Sequence, residues 1–264
     1  MANKDFIKKL IGKKGVKLYH KIQGKRIDRK EEKYYQARKK MYGELVKPGE
    51  LAFDVGANEG NRVKPLLAVG ARVVAVEPQE SCYKKLQETY GDKIVIVPMG
   101  LDEKEGERDM YIASISVFSS FSTEWIDSVK EGRFYERTWG EKVQVPMTTL
   151  DRLIKGNGVP TFIKVDVEGF ELQVLKGLST PVKHISFEYT VPEQVDDAIK
   201  CIRQIESLDR ETKFNYSREE SMKWAMSKWL TADEMVDYIQ TKEFQECGNG
   251  DIYSYSPLAD KKDN

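Results

Sequence analysis

The stretch LAFDVGANEGN, Leu51 to Asn61, runs an apolar strand straight into a glycine turn, and Arg62 to Val69 continues it as an amphipathic helix. Leu51 to Val55 supplies the strand; Gly56 and Gly60 bracket Ala57, Asn58 and Glu59. Such a unit suits a ligand lying against bare backbone at a helix N-terminus, because glycine allows both the turn and the close approach. The dinucleotide pattern G-x-G-x-x-G does not fit, since Asn58 stands where its second glycine belongs. What remains is an acidic residue, Asp54, then a glycine, three residues and a second glycine.

A second β-branched strand, Arg72 to Val76 (RVVAV), ends in Glu77-Pro78. An acidic residue at a strand end, roughly 20 residues after a glycine turn, is placed to accept two ribose hydroxyls. That placement serves NAD and S-adenosylmethionine (SAM) equally, and helix capping fits Glu77 as well. Beyond it strand and helix patterns alternate. Helix 28–44 precedes strand 51–55; then come helix 61–69, strand 72–76, helix 80–90 and strand 93–97. Residues 101–150 break the rhythm, with strands at Asp109 to Ala113 and Lys142 to Pro146 around a polar, aromatic segment. Alternation resumes with strand 161–166, helix 170–177, strand 183–188 and helix 192–208. A strand at Lys213 to Tyr216, helices across 218–243 and strand 250–255 complete the pattern. Alternation with right-handed crossovers means an α/β fold, a mostly parallel sheet with helices on both faces. Ligands bind such sheets at the carboxyl ends of the strands, and Asp54, Glu77, Asp166 and Glu188 all fall at strand ends on that edge.

Three ordered motifs then carry a resemblance. FDVGANEG, PMTTLDRL (Pro146 to Leu153) and IKVDVEGFELQVLKGL (Ile163 to Leu178) together resemble the FkbM family of methyltransferases. The likeness spans about Lys47 to Tyr189 and continues weakly into GDIYSYS, Gly250 to Ser256. It implies a class I SAM-dependent methyltransferase (Rossmann-like) fold with a seven-stranded sheet, acting on oxygen, often that of a sugar hydroxyl. On that footing SAM, with S-adenosylhomocysteine as product, is the expected cofactor. Its expected binding residues are Asp54, Gly56, Asn58, Glu59, Gly60, Glu77, Pro78, Gly100, Leu101 and Asp166. Gly100 and Leu101, between Met99 and Asp102, enter only because this fold flanks the adenine after its third strand.

A sulfonium methyl is already electrophilic, so transfer needs an aligned nucleophile and a destination for its proton. Histidine is scarce: His20 lies in the basic N-terminus, and His184 opens its strand on the wrong edge of the sheet. Carboxylates remain. Asp166 is expected nearest the methyl and the acceptor oxygen, with Glu168 or Glu188 as base or orienting partner. Two other readings stay open: Asp166 only positions SAM, and Glu168 only caps the helix opened by Gly169-Phe170. Lys164, two residues from Asp166 on one strand face, calls for a structural ion pair. The same three carboxylates have the oxygen chemistry for Mg²⁺ or Ca²⁺, although their spacing is not diagnostic and no metal is assigned.

With 264 residues the chain suits one full core with appendages. We divide it into a basic helical extension, 1–46, a methyltransferase domain, 47–257, and a disordered tail, 258–264. The insertion 101–150 is the expected acceptor region. It carries Phe118, Phe121, Trp125, Phe134, Tyr135 and Trp139 near Ser119, Ser120, Arg133 and Arg137, which suits a sugar or a packed lid equally. Trp224, Met226 and Trp229 read as core or cap.

Cys82, Cys201 and Cys247 are odd in number and show no CxxC spacing, so a cytoplasmic, reducing setting is expected. No apolar run reaches a membrane span, and no signal peptide is read at the N-terminus. Residues 1–50 hold 16 Lys+Arg against 6 Asp+Glu, while the remainder holds 27 against 37. Phe6, Ile7, Leu10, Ile11, Leu18, Tyr19 and Ile22 sit among those lysines. The expected arrangement packs this apolar stripe on the domain; weak contact with an anionic membrane surface is the alternative. A small-molecule or glycan acceptor is expected and DNA is not. RNA is disfavoured because the main domain is acidic and shows no basic–aromatic motif. Oligomerisation is left open. The rivals kept are an RNA ribose methyltransferase, an NAD-dependent sugar oxidoreductase and a non-catalytic SAM-binding domain.

Overall fold

The computed structural model describes residues 29–130 and 138–260. The apolar stripe at 6–22, His20, and Arg133, Phe134, Tyr135 and Arg137 lie outside the described residues.

Helix 29–45 (α1) leads into β1 (Leu51–Val55), α2 (Val63–Ala68), β2 (Arg72–Val76), α3 (Glu80–Tyr90) and β3 (Val95–Val97). After the insertion come α5 (Leu150–Asn157), β7 (Phe162–Val165), α6 (Glu171–Lys176), β8 (His184–Thr190) and α7 (Val195–Leu208). The chain then forms β9 (Lys213–Arg218), α8 (Ala232–Ile239), α9 (Lys242–Gln245), β10 (Asn249–Tyr255) and α10 (Pro257–Asp260). Seven strands make one sheet in the order β3-β2-β1-β7-β8-β10-β9. All pairings are parallel except those of β10, which runs antiparallel to both neighbours.

Alternation along each strand sends side chains to two cores. Leu51, Phe53 and Val55 face the core built with α5, α6, α7 and α8; Ala52 faces the one built with α1, α2 and α3. Met41, Tyr42, Leu45 and Val46 of α1 are buried there, so the helix at 29–45 closes one face of the sheet. The strand order reverses between β1 and β7, and the carboxyl ends of β1, β2, β7 and β8 share one edge. A loop glycine makes that edge compact: Gly56 has φ +81°, and a Cβ there would sit 1.8 Å from the Asp166 carbonyl oxygen. Only glycine lets the two chain ends pass so closely.

The insertion folds as a small sheet, β4 (Gly100–Leu101), β5 (Gly106–Ala113) and β6 (Trp139–Thr148), in the order β4-β6-β5, with helix α4 (Thr123–Lys130) beside it. Trp125 and Trp139 meet edge-on, with centroids 6.2 Å apart, in a satellite core with Ile126 and Val129. These aromatics therefore pack the insertion; of the described aromatics in the set expected to face an acceptor, only Phe121 reaches the cleft described below.

Two expectations fail. No helix forms between 219 and 231: Glu219 and Met222 have positive φ, and Leu230 bridges to Phe214 beside β9. Trp224 packs edge-on against Tyr253 instead, a cap on the core as its sequence reading held. The tail is ordered through Asp260, because the Leu258 N–H donates to Asp209 Oδ2 at 3.0 Å and Ala259 is buried. The three cysteines are free. Among the described residues no helix is long and apolar enough to cross a membrane.

Candidate active site

A cleft of about 230 Å³ opens over the carboxyl ends of β1, β2 and β7. At one end lies Glu77, whose carboxylate is fixed by two backbone donors. The Asn58 N–H donates to Oε2 and the Gln79 N–H to Oε1, both at 2.8 Å. Asn58 takes φ +45° to do so, which asparagine tolerates better than most residues. Burial pushes the Glu77 carboxyl up, and the two N–H groups oppose that. The segment Ser116–Ser119 is pinned across this end by Asn58 Nδ2 on Ser116 Oγ, 3.2 Å, and by Ser119 Oγ on Gln79 Oε1, 3.0 Å. Apolar walls follow: Val76, Met99, Leu101, Met110 and Phe121.

The other end is charged. Lys164, fully buried on β7, places Nζ 2.7 Å from Asp251 Oδ1 and 3.2 Å from Asp166 Oδ2. Arg62 lies 3.8 Å from that same Asp166 oxygen and forms a bidentate pair with Glu220, both contacts 2.8 Å. Arg38 of α1 reaches Glu220 at 2.9 Å. Burial would raise the Asp166 pKa, but Lys164 and Arg62 outweigh it and hold the carboxyl below its usual range. Burial likewise works against the Lys164 ammonium, and the Asp166 and Asp251 charges overcome it.

Beside this paired carboxylate stand two unpaired ones. One carboxylate oxygen each of Asp166, Glu168 and Glu188 lies within 4.8 Å of the others. Neither the Glu168 nor the Glu188 side chain has a hydrogen bond or an ion pair among the described residues. Burial, then the neighbouring Asp166 charge, pushes both carboxyls well above the ordinary range. Glu168 does not cap α6. The N-cap is Phe170, with no side-chain cap bond, and Glu171, the first residue of α6, ties down the preceding loop, its Oε1 accepting from Val167 N–H at 3.1 Å and Gly169 N–H at 3.3 Å. Glu168 instead turns at φ +54°, tied down where Ser120 Oγ donates to its carbonyl at 2.7 Å. The three carboxylates could ligate a divalent cation by proximity, yet two protein cations already share the Asp166 oxygen.

Of the residues expected around the cofactor, Gly56, Asn58, Glu77, Pro78, Gly100, Leu101 and Asp166 line the cleft. Asp54, Glu59 and Gly60 do not. Asp54 points beneath the sheet edge, fully buried, with neither oxygen hydrogen-bonded among the described residues; burial raises its pKa to about 7. Glu59 faces out to Lys85, and Gly60 packs where a Cβ would strike Tyr90 and Leu86. Asp102 pairs with Arg108. Sequence reasoning missed Arg38, Arg62, Gln79, Ser116 and Glu220 as lining residues. His184 is buried on the opposite edge, and burial lowers its pKa to about 4, as befits a structural histidine.

The model of the methyltransferase FkbM domain matches residues 54–248. The chain belongs to the FkbM methyltransferase family. No curated protein matches it. Among solved structures it is similar to a precorrin-6y C5,15-methyltransferase from Geobacter metallireducens GS-15, at 7% identity and TM-score 0.42 over 82% of this chain and 84% of that one. It is also similar to a magnesium protoporphyrin IX methyltransferase from Synechocystis PCC 6803 with bound SAM, at 11% identity and TM-score 0.41 over 86% and 79%. A third is the plantazolicin methyltransferase in complex with S-adenosylhomocysteine, at 9% identity and TM-score 0.40 over 90% and 89%.

The family makes this a SAM-dependent methyltransferase, and the cleft fits that cofactor chemically. A backbone-anchored carboxylate at Glu77 suits a ribose diol, and the apolar walls suit a purine. At the far end, arginines and carboxylates suit an amino-acid zwitterion next to a sulfonium.

Proposed function

We propose that this FkbM-family protein methylates oxygen, and that its acceptor is a carbohydrate hydroxyl in a glycan, a glycolipid or a glycosylated metabolite. The observation that carries this reading is that Glu168 and Glu188 are unpaired among the described residues, beside Asp166, whose Oδ2 is held by Lys164. Bound SAM supplies an electrophilic methyl group and a leaving thioether. The protein must then align an oxygen and take its proton. A sugar hydroxyl is far less acidic than a carboxylic acid, so its proton leaves during transfer, when the oxygen already bonds to carbon.

Asp166, kept ionised by Lys164 and Arg62, is suited to hold charge in place and orient the acceptor. Glu188 suits the proton by position: its carboxylate lies within 4.8 Å of those of Asp166 and Glu168, and no hydrogen bond or ion pair claims it among the described residues. Glu168 neighbours both and shares that negative field. Holding the oxygen in line supplies much of the acceleration, of order 7 kcal/mol in favourable models.

The test is transfer of tritiated methyl from SAM to a panel of hexose, hexosamine and deoxysugar glycosides by the purified full chain. Label that survives alkali and co-migrates with a methyl ether of the sugar supports the reading. Label released by alkali as methanol, or found on nitrogen, overturns it. Label recovered as 2′-O-methylnucleosides after offering RNA would move the acceptor to ribose.

A further inference from the structure

A second cavity, about 340 Å³, lies between the loop after β7, helices α6 and α7, and the segment around Ser122. It shares Phe121, Phe170 and Glu188 with the cofactor cleft, so the unpaired Glu188 carboxylate stands on the wall common to both. A group entering from this side reaches Glu188 without displacing anything from the ribose end.

The sign of the lining is lopsided. Glu124, Glu171, Glu188 and Asp197 contribute carboxylates, and among the described residues Arg108 is the lone cation on the wall. That guanidinium is already committed, paired with Asp102 and lying 5.1 Å over the Phe170 ring. Lys200 holds one Asp197 oxygen at 2.8 Å from the exposed side of α7 and is not part of the lining. Gln173, Gln194 and Thr123 add uncharged donors and acceptors. Phe121 and Phe170, tilted with centroids 5.5 Å apart, offer an apolar surface suited to the C–H face of a sugar ring.

We infer that this cavity is the acceptor subsite and that it selects a hydroxyl-rich acceptor whose reacting end carries no anion, an amino sugar being the best-matched case. The inference rests on the reading of the protein as a sugar O-methyltransferase. A uronate or phosphosugar entering here would bring a like charge among carboxylates in a partly desolvated space, where repulsion is poorly screened. An ammonium would find those carboxylates facing it, and neutral hydroxyls would find the amides.

The experiment is saturation-transfer NMR on the full chain saturated with S-adenosylhomocysteine, titrating the methyl glycosides of glucosamine, glucose and glucuronic acid. Binding should follow the order amino, neutral, carboxylate. Glu124→Gln and Asp197→Asn sit away from the reacting carboxylates, and each should reduce the preference for glucosaminide over glucoside roughly two- to five-fold, the scale of a part-exposed ion pair. A glucuronide that binds as well as the others, or a preference unmoved in both variants, overturns the charge selection while leaving methyl transfer to sugar oxygen standing. Failure of all three sugars to bind, with S-adenosylhomocysteine still bound, overturns the carbohydrate reading and this inference with it.

Discussion

Lys164 and Asp166, two residues apart at the end of β7, point to the same side of the sheet and pair at 3.2 Å, with Asp251 of β10 completing the triad at 2.7 Å from the ammonium. The pairing follows from register. Lys164 is level with Asp54 on β1 and Ser186 on β8, and Glu188, two residues on, is level with Asp251. A fully buried ammonium thus fixes the Asp166 carboxylate at the charged end of the cleft.

Removing the cation should be costly. Lys164→Met leaves Asp166 and Asp251 without their partner, and loss of one member of a buried pair costs about 3–5 kcal/mol. Urea unfolding should show the midpoint falling sharply with little change in slope.

Glu188 should show the opposite behaviour. Its carboxyl is raised well above the usual range by burial and by Asp166, whereas the unfolded chain gives up that proton near the ordinary value of about 4.3. Between those two values the native state binds more protons, so this group makes stability fall as pH rises. Glu188→Gln removes the penalty. Its melting temperature should exceed that of the parent at neutral pH and converge with it in acid, as differential scanning calorimetry at several pH values would reveal. A lower melting temperature at neutral pH would mean that Glu188 is satisfied by a partner in the native state.

The parts of this site that were legible in the sequence are those set by local pattern. β-branched runs marked β1 and β2, the glycine turn marked the cleft floor, and strand ends marked Glu77, Asp166 and Glu188. Lys164 announced its ion pair by being a lysine in an apolar strand, but Asp251 could be found only once β10 lay beside β8. Asp54 stays out of the cleft because it sits deeper in the sheet, level with Lys164, whereas Asp166 lies two residues further toward the edge on the same face. The helical propensity across 218–231 lost to tertiary contacts, since Glu220 is drawn to Arg62 and Arg38 and Leu230 to Phe214. That loss also hid Glu220 and both arginines from any local reading.

At the ribose end, Glu77→Ala should weaken S-adenosylhomocysteine by roughly 1.5–3 kcal/mol, the scale of hydrogen bonds to a charged group. Isothermal titration calorimetry gives the number directly, and NAD should produce no binding heat. The substitution also releases the Asn58 N–H, so the loss should sit toward the upper end of that range.

Chelation tests the carboxylate cluster in another way. With Lys164 and Arg62 sharing the Asp166 oxygen, activity should persist after dialysis against EDTA and should not rise on adding Mg²⁺. Activity lost to EDTA and restored by Mg²⁺ would turn Asp166, Glu168 and Glu188 into metal ligands.

The division of labour between binding and proton transfer is tested most directly by measuring turnover of an identified acceptor and S-adenosylhomocysteine affinity side by side for Glu188→Gln. Turnover should fall about 10²-fold or more, the usual contribution of a general base, while the dissociation constant stays within roughly three-fold. A dissociation constant that rises in step with the loss of turnover would contradict the assignment, and would make Glu188 a cofactor holder with the base elsewhere.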